Sequence, residues 1–188
     1  MRPNSSVKRT AFRGRLLQAL EAMGGDRGEQ FKELCAYYGA AMYFAQVLEH
    51  GIANALMYLD LIPKTKARYT PAEHDTFFEG QFAKTLGNLI KSLRAVANLP
   101  ADLEAALLQS KERRAYLAHH FFREATDDMH LGKYEKLLAQ LEEHRAFFQD
   151  TDTKLQGFVK PVMVRYGFTE AWLERAVREY SQHIRHGL

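Results

Sequence analysis

Residues 29–61, EQFKELCAYYGAAMYFAQVLEHGIANALMYLDL, decide the fold class. Their apolar side chains recur at steps of three and four residues, which places them on one face of an α-helix. Pro63 comes two residues later and is expected to end the helix, because proline has no amide proton for the next hydrogen bond. The apolar face comprises Phe31, Leu34, Tyr38, Met42, Ala45, Leu48, Ile52, Ala55 and Leu59.

The helical period recurs along the rest of the chain, and no strand pattern is evident. Thr70 and Thr169 each stand where a helix N-cap is expected. The sequence therefore predicts an all-α fold, a bundle of five or six helices with short connections. Helix breaks are expected at residues 24–25, 63–69, 98–100, 126–128 and 167–169, and an interruption at 150–153 is left open.

One domain is predicted, because no linker, repeat or low-complexity tract divides the 188 residues. Its expected parts are a basic N-terminal helix over residues 1–25, a core bundle over 29–165 and a C-terminal helix over 169–188. The residues expected to be buried are Leu48, Ile52, Phe82, Leu86, Leu103, Leu107, Leu117, Leu138 and Leu141.

The composition limits the class of protein. No apolar run reaches the roughly 18 residues of a membrane span, so no membrane partner is expected. The single cysteine, Cys35, fits a reducing compartment, and a cytoplasmic location is predicted. The net charge of +3 permits a nucleic-acid partner without predicting one.

The segment with the most chemistry is ERRAYLAHHFFRE, residues 112–124. Arg114 is a permanent cation that can hold a phosphate by paired hydrogen bonds. In a regular helix it lies within an apolar stripe, so it needs a carboxylate, an exit to solvent or a cleft that holds a phosphate. His119 can exchange a proton near neutral pH. These two residues are the candidate catalytic pair.

In one regular helix Arg114 and His119 do not share a face, since five residues turn about 140° and rise about 7.5 Å. Either the helix is distorted between them, or the site is assembled from two chains. Arg123 follows His119 by four residues and is expected on its face, and Glu124 stands in the same relation to His120. Tyr116 is more often a packing residue in such a helix.

A second polar group lies in the long helix, where Gln46, His50 and Asn54 form a line at four-residue steps beside Glu49. It is read either as a hydrogen-bond network or solvated stripe, or as the second wall of a cleft. No metal or other cofactor is predicted. The pair Asp127 and His130 has no second Glu-x-x-His match, which a di-iron bundle requires.

The segment from Arg114 to His119, in a late helix of a small helical chain, resembles the HEPN domains. That resemblance implies a dimeric, metal-independent endoribonuclease in which two such segments face one another. Arg114 would then bind the scissile phosphate and His119 would carry the proton. Ala115, Tyr116, His120, Arg123 and Glu124, with Glu49 and His50, would support them.

The resemblance further implies cleavage through attack by the RNA 2′-OH, in a toxin or defence effector with a cognate antitoxin protein. The sequence departs from the family at Ala115, where a polar residue is usual. The alternative is therefore a non-catalytic HEPN-like dimer that binds RNA or a partner protein.

Overall fold

The computed structural model describes residues 24–66 and 68–185 and contains helices but no strand over these ranges. The all-α prediction is confirmed. The predicted basic N-terminal helix over residues 1–25 lies outside the described residues except for Gly24 and Gly25. The helices are α1 Gly24–Leu56, α2 Ile62–Thr65, α3 Pro71–Phe82, α4 Leu86–Val96, α5 Ala101–His119, α6 Phe121–Glu124, α7 Thr126–His130, α8 Tyr134–Arg165 and α9 Glu170–Arg185. A π-helical turn, Met57–Leu61, joins α1 to α2.

The helix ends follow local hydrogen-bonding chemistry. Thr70 and Glu73 form a reciprocal capping box at the start of α3, where Pro71 occupies the first turn. Thr169 Oγ1 accepts a hydrogen bond from the Trp172 amide at the start of α9. Both caps confirm the sequence prediction.

Several predicted helix boundaries are wrong. Gly24 and Gly25 belong to α1, and Pro63 does not end the helical chain, because α2 continues to Thr65. The expected single helix after Thr70 divides at residues 83–85, where Thr85 caps α4 by accepting from the Asn88 amide. Helix α8 continues through residues 150–153, so the interruption that the sequence left open does not occur. The hydroxyl groups of Thr151 and Thr153 donate to carbonyl oxygens four residues earlier, which satisfies them within the helix. The break expected at residues 126–128 lies at 131–133 instead, where Gly132 has a φ of 71°.

The structure divides into two compact units, and the single predicted domain stays a prediction. The first unit contains described residues 24–44 and 113–146, and the second contains 45–66, 68–112 and 147–185. Seven of the nine predicted core residues are buried. Phe82 is 49% exposed because it is the last residue of α3. Its ring packs on His50, which is itself exposed. Leu138 is half-buried because the neighbouring Leu137 occupies the core position of α8.

In the first unit, Tyr38 of α1 contacts the chain on both sides of the break between α5 and α6. Its hydroxyl donates to the carbonyl oxygen of Leu117, in the last turn of α5, at 3.1 Å. Its ring packs on Phe121 and Phe122, in α6, at centroid distances of 5.8 and 4.8 Å. Leu117 and Phe121 are both buried, so this contact fixes the end of α5 in the core of the unit.

In the second unit, α1 and α8 lie close together at Gly51. A Cβ atom on Gly51 would overlap Oδ1 of Asp152, a buried carboxylate oxygen with no hydrogen-bond partner among the described residues. Oδ2 of Asp152 accepts a hydrogen bond from Gln156 Nε2 at 2.5 Å. Burial raises the pKa of the Asp152 carboxyl group. Glycine is therefore needed at position 51 by contact rather than by backbone conformation.

We expect Gly51→Ala to lower the free energy of unfolding by about 1–3 kcal/mol, because the added methyl group must displace a buried carboxylate. Gly39→Ala is the matched control, since Gly39 is an exposed position of the same helix with no atom near its would-be Cβ. That control should gain about 0.5–1 kcal/mol. Urea unfolding measures both. Gly51→Ala should cost less in an Asp152→Ala background, and an equal cost in both backgrounds would contradict the contact.

Candidate functional site

Helix α5 carries the segment that sequence analysis selected. It runs without a break from Ala101 to His119, so the predicted alternative of a distortion between Arg114 and His119 is wrong. Arg114 is half-buried between Ser110 and Leu117, which are both buried. Ala115 and Tyr116 are also half-buried, and His119 is exposed at the last helical position. Within one chain, Arg114 and His119 thus project on different sides of α5.

Two exposed imidazoles lie side by side at the end of α5. His120 leaves the helical conformation, with φ −123° and ψ −34°, while its amide still donates to the Tyr116 carbonyl oxygen at 2.8 Å. The His119 and His120 ring centroids are 6.4 Å apart, and the rings are nearly perpendicular at 83°. The end of the helix therefore presents two proton carriers to solvent.

Arg123 contacts His120 rather than His119. Its Nη2 lies 2.6 Å from His120 Nδ1, and because a guanidinium only donates, Nδ1 is the acceptor and the ring proton resides on Nε2. The expectation that Arg123 shares a helical face with His119 assumes one continuous helix, whereas the helix breaks at His120 and the contact of Arg123 is with His120. Glu124 lies 4.0 Å from His120 and 3.8 Å from Arg123, with its side chain exposed. Glu124 and His120 thus form the surface contact that their four-residue spacing predicts.

Tyr116 stands between two histidines. Its ring is nearly parallel to that of His120, at 6.5 Å and 16°, and to that of His144 from α8, at 5.7 Å and 24°. Its hydroxyl accepts a hydrogen bond from Gln140 Nε2 at 3.1 Å. The Tyr116 side chain is thus held by α8, and its ring packs against the His120 ring.

Sequence analysis missed His144 and its neighbours. His144 is buried, with Nδ1 3.5 Å from Arg113 Nη1, and Arg113 forms a 2.9 Å ion pair with Glu143. Burial first, and then the Arg113 charge, lower the pKa of the His144 imidazole. The signal was present in the sequence: His144 lies three residues after Leu141 and four before Phe148, and therefore on the core stripe of α8.

A small open cleft of about 400 Å³ adjoins this group. Tyr116 and Gln140 line one part of it, and Glu124, Asp128 and Lys136 line another. The Asp128 carboxylate accepts a hydrogen bond from Lys136 at 2.7 Å, and this bond lowers its pKa. His120 contacts two of the lining residues, so the exposed imidazole lies at the edge of a polar cleft.

Glu49 and His50 belong to the second unit. His50 is exposed and its ring packs on Phe82 at 4.5 Å, while Glu49 is half-buried. Gln46 and Asn54 are exposed as well, which makes the predicted polar line a solvated stripe rather than a buried network. Asn54 also lines a larger cleft of about 1230 Å³ within this unit.

Residues 24–66 and 68–185 contain no group of three or more His, Cys, Asp or Glu side chains placed to hold a metal ion. Over the same ranges, every helix is too short or too polar to cross a membrane. Comparison of the chain with protein-family models, characterised proteins and solved structures finds no match. The resemblance to HEPN domains therefore rests on the quoted residues alone.

We expect the first unit to lose stability as the pH falls below about 6.5, the pKa of histidine in an unfolded chain. The folded state lowers the pKa of His144, so the unfolded chain binds more protons in this window and acid favours unfolding. Replacing His144 with glutamine should flatten this part of the curve. Urea unfolding at pH 7, 6 and 5 measures it.

The control for this prediction is His130→Gln, because His130 is an exposed histidine of the same unit. It should leave the pH dependence as in the wild type. A wild-type curve that is flat between pH 7 and 5, or one that His130→Gln changes as much as His144→Gln does, would contradict the role of the buried imidazole.

Proposed function

We propose that this chain is a metal-independent endoribonuclease of the HEPN type that acts as a pair of chains. The observation that carries the proposal is the end of α5. There His119 and His120 are exposed side by side, with Arg123 2.6 Å from His120, on the helix that also bears Arg114. Proton carriers beside cations are the groups needed to cleave a phosphodiester.

In the proposed reaction the RNA 2′-oxygen attacks the adjacent phosphorus. His119 takes the 2′-OH proton as the new O2′–P bond forms. His120, once protonated to the imidazolium form, gives a proton to the 5′-oxygen as the P–O5′ bond breaks and returns to the neutral form. The products are a 2′,3′-cyclic phosphate and a 5′-OH end. Histidine is the side chain best suited to such proton exchange near neutral pH.

Arginine supplies the electrostatic part of the proposed mechanism. Arg114 would hold the phosphate and stabilise the charge that grows on its oxygens in the transition state. Arg123 acts on His120 as a positioning residue, because its hydrogen bond to Nδ1 fixes the orientation of the neutral ring before the reaction.

The proposed site needs two chains because of helix geometry. Arg114 and His119 diverge by about 140° on the continuous helix α5, so one phosphate does not reach both within one chain. A two-fold pair brings the same segment from both copies together, and Arg114 of one copy then meets His119 of the other. We propose a homodimer with these segments near its axis.

A second function is favoured by one observation, the methyl side chain of Ala115 beside Arg114. Alanine cannot make the hydrogen bond that a polar residue would offer a phosphate. The alternative is therefore a non-catalytic dimer that binds RNA or a partner protein. For the active form, we propose a cytoplasmic toxin or defence effector restrained by a cognate antitoxin protein.

Arg114→Ala and His119→Ala should each slow the cleavage of single-stranded RNA by about 10²- to 10⁴-fold, because each removes a group that acts on the transition state. The double variant should lose little more than either single one, since the two groups serve one step. Gel analysis of labelled RNA in EDTA measures the rates, and circular dichroism checks the fold.

His130→Ala is the control for these substitutions, because His130 is an exposed histidine outside the proposed site. It should cleave as the wild type does. The proposal fails if the wild type needs an added divalent metal, or if His119→Ala keeps full activity.

Ala115→Asn should raise the cleavage rate, because the amide can donate to a phosphate held by Arg114. A tenfold gain corresponds to about 1.4 kcal/mol of additional transition-state stabilisation. Ala118→Asn is the matched control, since Ala118 is a half-buried alanine of the same helix turn. If neither wild type nor Ala115→Asn cleaves RNA while both still bind it, the non-catalytic function is correct.

A further inference from the structure

Helix α9, Glu170–Arg185, carries an apolar face that is largely exposed in the described structure. Leu173, at its N-terminal end, lines the cleft of the second unit, and the apolar residues after it on the same face are mostly exposed. None of its residues is buried, although Leu173, Val177, Tyr180 and Ile184 lie along one side of the helix. Such a stripe on a soluble protein marks an interaction surface. Its exposed fractions are Leu173 36%, Val177 63%, Tyr180 67% and Ile184 60%.

The N-terminal end of α9 is anchored to its own unit, so the helix is held in place. Phe168, just before it, contacts Trp172 at 4.9 Å and Tyr58 at 5.1 Å between ring centroids. Glu170 forms a 2.6 Å ion pair with Lys160 of α8. The uncovered stripe therefore belongs to a positioned helix.

We propose that this face binds the same face of a second copy, with the two α9 helices antiparallel. Leu173, Val177, Tyr180 and Ile184 follow one another at steps of four, three and four residues, the spacing of a coiled-coil seam. The pattern is symmetric about its midpoint between residues 178 and 179. In an antiparallel pair Leu173 meets the partner's Ile184, and Val177 meets the partner's Tyr180.

Charge favours this direction over the parallel one. Beside the seam, the N-terminal half of α9 has Glu174 and the C-terminal half has Arg185, both exposed. The antiparallel pair places Glu174 within about 3 Å along the axis of the partner's Arg185. A parallel pair would instead place Glu174 and the partner's Arg185 about 16 Å apart along the axis, so this ion pair would not form. The surface is thus self-complementary in one orientation.

The association should be weak and reversible. Sixteen helical residues extend about 24 Å, so the seam is short and buries less area than an obligate dimer does. We expect a dissociation constant in the micromolar range. The contact is one way in which the homodimer proposed above could be held together, and it rests on that proposal only for the existence of a pair. A Tyr180→Glu chain that stays dimeric and cleaves RNA rejects the α9 contact alone, whereas a dimer held by α9 that does not cleave RNA rejects the proposed function alone.

Light scattering across a concentration series tests the contact. The wild type should rise from the chain mass of 21.6 kDa toward twice that value. Tyr180→Glu should weaken association at least about 100-fold, because it places two carboxylates in the seam. Gln182→Glu adds the same charge on the opposite face of α9 and should associate as the wild type does. Circular dichroism establishes that both variants keep their helices.

Cysteine cross-linking tests the orientation, in a Cys35→Ser background because Cys35 is exposed. A mixture of Leu173→Cys and Ile184→Cys chains should form a disulfide-linked dimer on mild oxidation. Either variant alone should not, since its two cysteines would lie about 16 Å apart along the axis. Efficient linkage of each variant with itself would indicate a parallel pair and overturn the proposal.

The emission of Trp172, the only tryptophan, distinguishes other occupants of the face. It should shift to shorter wavelength as the wild-type concentration rises. The proposal is overturned if the wild type keeps the chain mass up to about 1 mM, or if Tyr180→Glu remains dimeric. If the protein is a monomer and deleting residues 1–23 shifts its emission, the face binds that segment. If it is a monomer and phospholipid vesicles shift its emission, the face binds a lipid surface. Either result overturns the proposal.

Discussion

The Tyr38 side chain sets the geometry on which the candidate site depends. Its hydroxyl binds the Leu117 carbonyl oxygen before the break in the helix, and its ring packs on Phe121 and Phe122 after it. The chain between these anchors contains His119 and His120. Because both anchors lie in the core of the first unit, the two imidazoles are presented on a rigid end of α5 rather than on a free loop.

The polar groups around His120 form a second layer of constraint. Arg123 donates to one ring nitrogen, and Tyr116 packs beside the ring while Gln140 of α8 holds its hydroxyl group. Each contact restricts how the His120 ring can turn or which nitrogen carries its proton. Such restriction is what proton transfer at a fixed position requires, because a catalytic group must be held close to its productive geometry.

The second unit contains one unsatisfied buried polar atom and one exposed apolar stripe, and the two have opposite consequences. Asp152 Oδ1 is a buried polar atom against Gly51, where the close approach of two helices leaves no room for a partner. The stripe on α9 is an apolar surface that faces solvent. The unsatisfied carboxylate oxygen lowers the stability of the single chain. The apolar stripe on α9 gains stability only when it is buried, and in our proposal a second copy of the chain buries it.

The sequence by itself determined the helical class, the caps at Thr70 and Thr169 and most of the core, because these follow from local hydrogen bonding and the 3.6-residue period. It also indicated the stretch containing His119 and His120. Tertiary structure decided the rest. The break at His120 is held by Tyr38, which lies about eighty residues away in sequence. Because of this break, Arg123 contacts the His120 ring. His144 and Gln140 join Tyr116 only because α8 packs beside α5, a contact that no local pattern encodes.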